Sequence, residues 1–140
     1  MHVLVTGATG FTGGHLARSL AARGDRVRVL VRPRPASDPV DPPIEVVPGD
    51  LTDAAAVRRA TEGVDVDYHI AAIYRQAGLR EAQYRAVNAT AVRTIIESAK
   101  AGGAKRVVHC STVGVHGDIE HPPANEDAPF RPGDIYQQTK

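Results

Sequence analysis

Two side chains near the end of the sequence have the types and the spacing needed for acid–base chemistry. Tyr136 and Lys140 are four residues apart, a spacing that places both on one face of a helix. A free tyrosine has a pKa of about 10 and is a poor base at neutral pH. A lysine ammonium one helical turn away would stabilise the phenolate and lower that pKa. Alone, such a pair also arises by chance on an exposed helix, so this interpretation depends on the rest of the chain.

A second candidate site is the glycine-rich stretch Gly7-Ala-Thr-Gly-Phe-Thr-Gly13, which follows the first apolar run. Glycines between a strand and a helix allow a tight turn, let the backbone approach a pyrophosphate, and direct the helix N-terminus at its charge. The first interval is one residue longer than in the common dinucleotide fingerprint. The alternative is a turn with a close helix–strand contact and no ligand. The position at the first strand–helix junction favours dinucleotide binding.

The residue that follows the second predicted strand indicates which dinucleotide would bind. An acidic residue there would bind a ribose hydroxyl, whereas an arginine would accommodate a 2′-phosphate. Asp25 is near the right distance from Gly7, but it lies before that strand. Arg32 follows the strand, and Arg34 is close by. A guanidinium suits a phosphate, so NADP is favoured and NAD is the alternative. The competing interpretation is that both arginines are solvated loop charges.

Apolar runs of strand length alternate with helical stretches along the chain. The predicted strands are 2–6, 27–31, 44–47, 66–71 and 106–110, and the predicted helices are 12–23, 53–62 after a Thr52 cap, and 80–101. The buried face of the last helix would carry Val87, Ala91, Ile95 and Ala99. Residues 33–43 and 113–133 are rich in proline and are predicted to be loops. The alternation predicts an α/β fold, a doubly wound, Rossmann-type parallel sheet of about five strands with helices on both faces.

Composition narrows the class of protein further. The 140 residues are 42% apolar and 24% charged, as expected for one soluble globular domain. Seventeen basic and sixteen acidic side chains give a net charge of +1, which favours neither nucleic acid nor a membrane surface as a partner. The single cysteine, Cys110, excludes an internal disulfide and is predicted to be a small buried apolar residue. The histidines and Cys110 lack metal-ligand spacing, so no metal site is expected, and a cytoplasmic location is the default.

Several short motifs occur in a fixed order along the whole chain. They are Thr6-Gly-Ala-Thr-Gly-Phe-Thr-Gly13, Gly49-Asp-Leu-Thr-Asp53, His69-Ile-Ala-Ala72, Asn88-Ala-Thr90, Ser111-Thr112 and Tyr136-Gln-Gln-Thr-Lys140. This set resembles the extended short-chain dehydrogenase/reductases, a group that includes nucleotide-sugar epimerases and dehydratases, dihydroflavonol-type reductases and 3β-hydroxysteroid dehydrogenases. The resemblance implies an NAD(P)-dependent oxidoreductase that transfers hydride at an alcohol or ketone carbon. The alternatives are an NAD-dependent nucleotide-sugar epimerase or dehydratase and, from another class, a non-catalytic dinucleotide-binding sensor or regulator.

The resemblance also implies roles for individual residues. Tyr136 would be the acid/base, Lys140 would tune it and bind the cofactor ribose, and Thr112 would hold the substrate oxygen. Ser111 is the alternative to Thr112 if the register is shifted by one residue. Together with Arg32, the implied cofactor-binding residues are Gly7, Gly10, Phe11, Thr12, Gly13, Asp50, Leu51, Ala71, Ala72, Asn88, Tyr136 and Lys140. His116 stands where a tyrosine is usual, and a substrate-lining or exposed role is expected for it.

Members of this group continue well past the helix that carries the Tyr–Lys pair. We therefore expect residues 1–140 to be the dinucleotide-binding domain of a longer enzyme, with the C-terminal substrate region absent. The predicted fifth strand would lie near an open edge of the sheet. A small hydroxy or keto compound or a nucleotide sugar is the expected substrate. A homodimer of the full-length protein would pair through the long helix and the helix at Tyr136.

Overall fold

The computed structural model describes residues 1–33 and 43–140, and five parallel strands form its central sheet. The strands are β1 (His2–Thr6), β2 (Arg26–Val31), β3 (Glu45–Pro48), β4 (Val66–His69) and β5 (Arg106–His109). Their spatial order is β3-β2-β1-β4-β5, the order of a doubly wound dinucleotide-binding sheet. The predicted fold class is therefore confirmed, and the strand ends differ from the predicted ones by a residue or two.

Five α-helices in the described parts of the chain connect the strands or follow them. They are α1 (Phe11–Ala22), α2 (Ala54–Thr61), α3 (Glu81–Tyr84), α4 (Ala91–Ala101) and α5 (Ile135–Thr139). A π-helical segment, Arg85–Thr90, joins α3 to α4, so the predicted long helix is confirmed in extent but not in regularity. In the predicted loop 113–133, Val113–His116 form a 3₁₀ turn. Of the other predicted loop, residues 34–42, which include Arg34, lie outside the described residues.

The sheet has an apolar core on each face because successive strand residues point to opposite sides. One core packs α1 against Val3, Val5, Val27 and Val29. The other packs α2 and Ile95 of α4 against Leu4 and Leu30. Strands β1 and β2 therefore each contribute apolar side chains to both cores, as expected for a parallel sheet covered on both faces. Within the described residues, no helix combines the length and apolar character needed to span a membrane.

Three local predictions were wrong. The cap of α2 is Asp53, whose carboxylate accepts from the Ala55 amide at 2.8 Å, whereas Thr52 bonds to Asp50. Val87 is only partly buried and lines a cleft, because the π-helical segment precedes the regular α4 helix that carries the core face. Cys110 is exposed rather than buried, since it follows β5, the outer strand of the described sheet.

Candidate functional site

A cleft of about 510 Å³ lies at the carboxyl ends of β1, β2, β3 and β4. In a doubly wound sheet this is the edge at which ligands bind, and the volume suits a small-molecule site. Most of the predicted cofactor-binding residues meet here: the cleft is lined by Gly7, Gly10, Phe11, Thr12, Gly13, Arg32, Asp50, Leu51, Ala71 and Ala72. Residues from four separate loops are thus brought to one concave surface.

Two glycines allow the loops around this cleft to approach one another closely. Gly7 has φ of +75°, and a Cβ at this position would lie 2.8 Å from the Ala71 amide nitrogen. A Cβ on Gly13 would lie 2.6 Å from the Gly7 carbonyl carbon. Gly7 therefore packs the turn after β1 against the segment after β4, and Gly13 packs α1 against that turn. A side chain at either position would force the loops apart.

The N-terminus of α1 opens onto the same cleft. Its N-cap is Gly10, no side chain among the described residues caps it, and its first turn has no acidic residue. The first amide groups of a helix have no partner within the helix, and they bear partial positive charge. Phe11, Thr12 and Gly13 supply these amides and also line the cleft. The arrangement fits the pyrophosphate of a dinucleotide.

The far end of the cleft carries one positive and one negative side chain. Arg32 follows β2 directly, and Asp50 lies just after β3. Asp50 Oδ1 accepts from the Thr52 hydroxyl at 2.7 Å and from the Thr52 amide at 2.8 Å. These hydrogen bonds, with the nearby positive charge of Arg32, lower the pKa of Asp50. Asp25 lies at the opposite end of β2 and pairs with Arg23, so it is remote from the cleft.

A buried hydrogen-bonded pair joins β1 to the segment after β4. The hydroxyl of Thr6 lies 2.7 Å from His69 Nδ1, and it accepts from the Ala71 amide at 3.3 Å. Burial lowers the pKa of His69 to about 4, with smaller contributions from His109 and Lys140. The imidazole is therefore neutral at pH 7, and it stacks on His109 with ring centroids 5.4 Å apart. This pair holds the Ala71 side of the cleft in place.

Asn88 is buried behind the wall of the cleft and does not line it. It is buried, its Oδ1 accepts from the Ile73 amide at 2.8 Å, and its Nδ2 donates to the Ile73 carbonyl at 2.9 Å. Nδ2 also lies 3.3 Å from the Thr139 hydroxyl. Because these contacts occupy the amide, Asn88 positions the segment after β4 and α5. A direct contact with the cofactor was the sequence-based expectation.

Tyr136 sits beside the wall of the cleft. Its ring meets the ring of Tyr74 edge to face, with centroids 4.9 Å apart, and Tyr74 lines the cleft. Tyr136 is carried by α5, which starts with a capping box: the Asp134 carboxylate accepts from the Gln137 amide at 2.8 Å, and the Gln137 side chain accepts from the Asp134 amide. The local sequence thus sets the start of α5, and Tyr136 packs against the cleft wall through Tyr74.

Lys140 and Thr112 lie at the end of β5. The Lys140 ammonium donates to the Cys110 carbonyl, and burial lowers its pKa. The Thr112 hydroxyl accepts from the Gly114 amide at 3.2 Å and caps the 3₁₀ turn, while the Ser111 hydroxyl donates to the Lys140 carbonyl at 3.1 Å. Among the described contacts, no hydrogen bond joins the side chains of Tyr136, Lys140 and Thr112. His116 is half-buried, with Nδ1 3.0 Å from the Ala128 carbonyl oxygen.

Sequence reasoning missed the contribution of the segment that follows Ala72. Ile73 and Tyr74 line the cleft, and Tyr84 anchors this segment because its hydroxyl accepts from the Gln76 amide at 2.8 Å. Scattered aromatic residues gave no signal for this arrangement. The capping box at Asp134 and Gln137 does have a recognisable spacing, and it could have predicted where α5 begins.

Comparisons with known proteins agree with this geometry. The profile of the NAD dependent epimerase/dehydratase family matches residues 3–140. The chain is 38% identical over 144 residues to sterol demethylase protein B of Methylococcus capsulatus. That alignment covers 100% of this chain and 44% of the relative. It is 35% identical over 147 residues to a 3 beta-hydroxysteroid dehydrogenase/Delta 5-->4-isomerase of Mycobacterium tuberculosis, covering 99% of this chain and 40% of that protein.

A solved structure extends the comparison to three dimensions. The dTDP-glucose 4,6-dehydratase DesIV of Streptomyces venezuelae, determined with NAD and TYD bound, superposes with a TM-score of 0.87 and 32% identity. That match covers 100% of this chain and 48% of the dehydratase. The chain therefore spans less than half the length of these relatives. Since the family profile matches nearly every residue, the chain belongs to the NAD dependent epimerase/dehydratase family.

Proposed function

We propose that residues 1–140 form the dinucleotide-binding domain of an NAD(P)-dependent oxidoreductase that transfers hydride at an alcohol or ketone carbon. The observation that carries the proposal is the cleft at the carboxyl ends of four strands, with Tyr136 against its wall through Tyr74. The N-terminus of α1, which no side chain in residues 1–33 and 43–140 caps, supports binding of a pyrophosphate there. The name of the 3 beta-hydroxysteroid dehydrogenase/Delta 5-->4-isomerase relative supports a hydroxy or keto substrate.

In this proposal the chain supplies binding, orientation and proton transfer. A nicotinamide dinucleotide, when bound, supplies the hydride chemistry. Tyr136 takes up or gives the proton at the substrate oxygen, Lys140 favours the charged form of the phenol, and Thr112 orients the oxygen. The half-buried Lys140 ammonium lies near the end of β5, which is also where Thr112 lies. A catalytic group at the carboxyl end of a strand is where an open sheet binds its ligands.

Replacement of Tyr136 tests the catalytic role. In the full-length protein, Tyr136→Phe should lower turnover by about 100-fold or more, the usual effect of losing a general acid or base. Cofactor affinity should stay within a factor of about two, because the ring is retained. Formation of reduced nicotinamide is measured by absorbance with a panel of secondary alcohols that includes a 3β-hydroxysteroid.

Tyr68→Phe is the matched control for the loss of one phenol hydroxyl, because Tyr68 lies in β4 and packs against the α1 core. Its turnover should match that of the unmodified protein. Unchanged turnover in Tyr136→Phe would refute the acid/base assignment. Cofactor binding without turnover of any alcohol or nucleotide sugar would instead favour the non-catalytic sensor.

The choice of NADP over NAD rests on Arg32, which follows β2 and lines the cleft. Arg32→Ala should weaken NADP binding by about 10-fold, roughly the contribution of one charge-assisted hydrogen bond to phosphate. NAD affinity should hardly change, because NAD lacks that phosphate. Fluorescence titration of both cofactors measures the effect, and Arg23→Ala, at the opposite end of β2, is the control. Tighter binding of NAD than of NADP by the unmodified protein would overturn the phosphate assignment.

A nucleotide-sugar epimerase or dehydratase is the second candidate, supported by the likeness to the dTDP-glucose 4,6-dehydratase structure. Such an enzyme would convert dTDP-glucose with no net change in added cofactor, whereas a dehydrogenase would produce reduced nicotinamide in proportion to product. The same assays therefore separate the two candidates. The predicted cytoplasmic location and homodimer stay predictions.

A further inference from the structure

Arg75 lies between the segment after β4 and the start of α5. Its Nε donates to Asp134 Oδ2 at 2.7 Å. The guanidinium carbon lies 5.8 Å from the centroid of the Tyr74 ring and 6.0 Å from that of Tyr136. The Arg75 side chain thus contacts Tyr74, which lines the cleft, and Tyr136, the proposed acid/base. It also contacts Asp134, the N-cap of the helix that carries Tyr136.

These contacts join two parts of the chain that are 59 residues apart. Asp134 accepts from the Gln137 amide with Oδ1 and from Arg75 with Oδ2, so one carboxylate both caps α5 and fixes it to the opposite segment. An exposed ion pair alone contributes little. Here the planar guanidinium also lies near two aromatic rings, which adds a second attractive interaction.

Contacts at both ends of the described helix α5 fix it to the rest of the chain. Its far end is attached through the Thr139 hydroxyl, near Asn88 Nδ2. Its near end, which carries Tyr136, is attached through Arg75 and the edge-to-face contact of Tyr136 with Tyr74. The direction of the Tyr136 ring therefore depends on Arg75.

We propose that Arg75 is a positioning residue that ties α5 to the wall of the cleft and holds Tyr136 against Tyr74. The proposal rests on the proposed role of Tyr136 for its catalytic consequence, but the structural link can be measured without turnover. Lysine at this position would keep a charge for Asp134 but would lack the planar group that faces both rings.

Hydrogen exchange in the full-length protein tests the link directly. In Arg75→Ala, the amides of residues 135–139 should exchange about 5- to 10-fold faster, while the amides of β1 and β4 stay unchanged. Arg75→Lys should give an intermediate rate. The matched control is Arg85→Ala, which removes another exposed arginine–carboxylate pair, with Glu81. Exchange in α5 equal to that of the unmodified protein would overturn the proposal.

Kinetics with the secondary-alcohol panel give the second readout. Arg75→Ala should lower kcat about 10-fold and leave KM and NADP affinity within twofold, because substrate and cofactor still bind while the acid/base is misplaced. An unchanged kcat, or a rise in KM as large as the fall in kcat, would overturn the positioning role. If Tyr136→Phe keeps full turnover, the proposed function fails. The contact between Arg75 and α5 is then still tested by amide hydrogen exchange of α5 in Arg75→Ala, in Asp134→Asn and in the double variant. Additive effects of those two changes would overturn it.

Discussion

Asp67 is fully buried in β4, in register with Leu4 of β1 and Val107 of β5. Neither of its carboxylate oxygens has a hydrogen-bond partner among the described residues. Burial raises the pKa of Asp67 to about 7, because removal from water disfavours the charged form. His69, two residues along the same strand, shows the opposite effect, since burial lowers its pKa to about 4. The two residues therefore make opposite contributions to stability as pH changes.

The signs follow from the linkage between protonation and folding. The contribution of Asp67 is fully present below the pKa of the unfolded chain, near 4, and is lost as pH rises through about 7. The contribution of His69 is present above its unfolded pKa, near 6.5, and is lost as pH falls toward about 4. Between pH 5 and 7.5 each changes the free energy of unfolding by about 2 kcal/mol in opposite directions. In this range, the two contributions nearly cancel.

Asp67→Asn should remove one of these contributions and reveal the other. The free energy of unfolding of the variant should rise by about 2 kcal/mol or more from pH 5 to pH 7.5, because Asp67 then no longer offsets His69. Burial also lowers the pKa of His109, which adds a contribution of the same sign. The unmodified protein should change much less. Urea denaturation at several pH values measures both curves. Parallel curves for the two proteins would show that Asp67 is ionised when folded, contrary to this prediction.

At the scale of elements, the turn after β1 and the segment after β4 meet at Gly7 and Ala71. Gly7→Ala should weaken cofactor binding by at least about 10-fold, because its Cβ would lie within 3 Å of Ala71 backbone atoms and would open the cleft. The positive φ of +75° adds a backbone cost of about 1–2 kcal/mol. Cofactor titration and thermal unfolding together measure the two effects.

Gly24 provides the control for Gly7→Ala. Gly24 has φ of +89°, but a Cβ there would meet nothing within 4 Å. Gly24→Ala should therefore show the backbone cost alone, with a loss of stability and unchanged cofactor affinity. Equal affinity losses in the two variants would show that backbone strain, rather than contact with Ala71, controls the cleft.

For the molecule as a whole, the sequence predicted what depends on periodicity and order. Apolar runs rich in β-branched residues gave the strands, and strand–helix alternation gave the parallel sheet. The same order predicted that Gly7, Arg32, Asp50 and Ala71 would share one edge of the sheet, because the carboxyl ends of parallel strands meet there.

Features that depend on particular tertiary contacts were not predictable in this way. The contact of Tyr74 with Tyr136 and the ion pair of Arg75 with Asp134 join distant segments, and neither leaves a periodic signal. The π-helical segment likewise has no composition that distinguishes it from α-helix. Asn88 was expected in the site from its motif alone, and only the fold shows that its amide bonds to Ile73.

The position of β1 also affects how the chain reaches its fold. β1 is the first strand in the sequence but the central one in space, paired with β2 on one side and β4 on the other. Its pairing with β4 joins residues such as Val3 and Val66, which are far apart in the sequence. The β4 side of β1 therefore stays unpaired until a long loop has closed. The entropy lost on closing the loop must be overcome before such non-local contacts can stabilise the chain. We therefore expect the β1–β2 pair to form early and the β1–β4 pair, which completes the cleft, to form late.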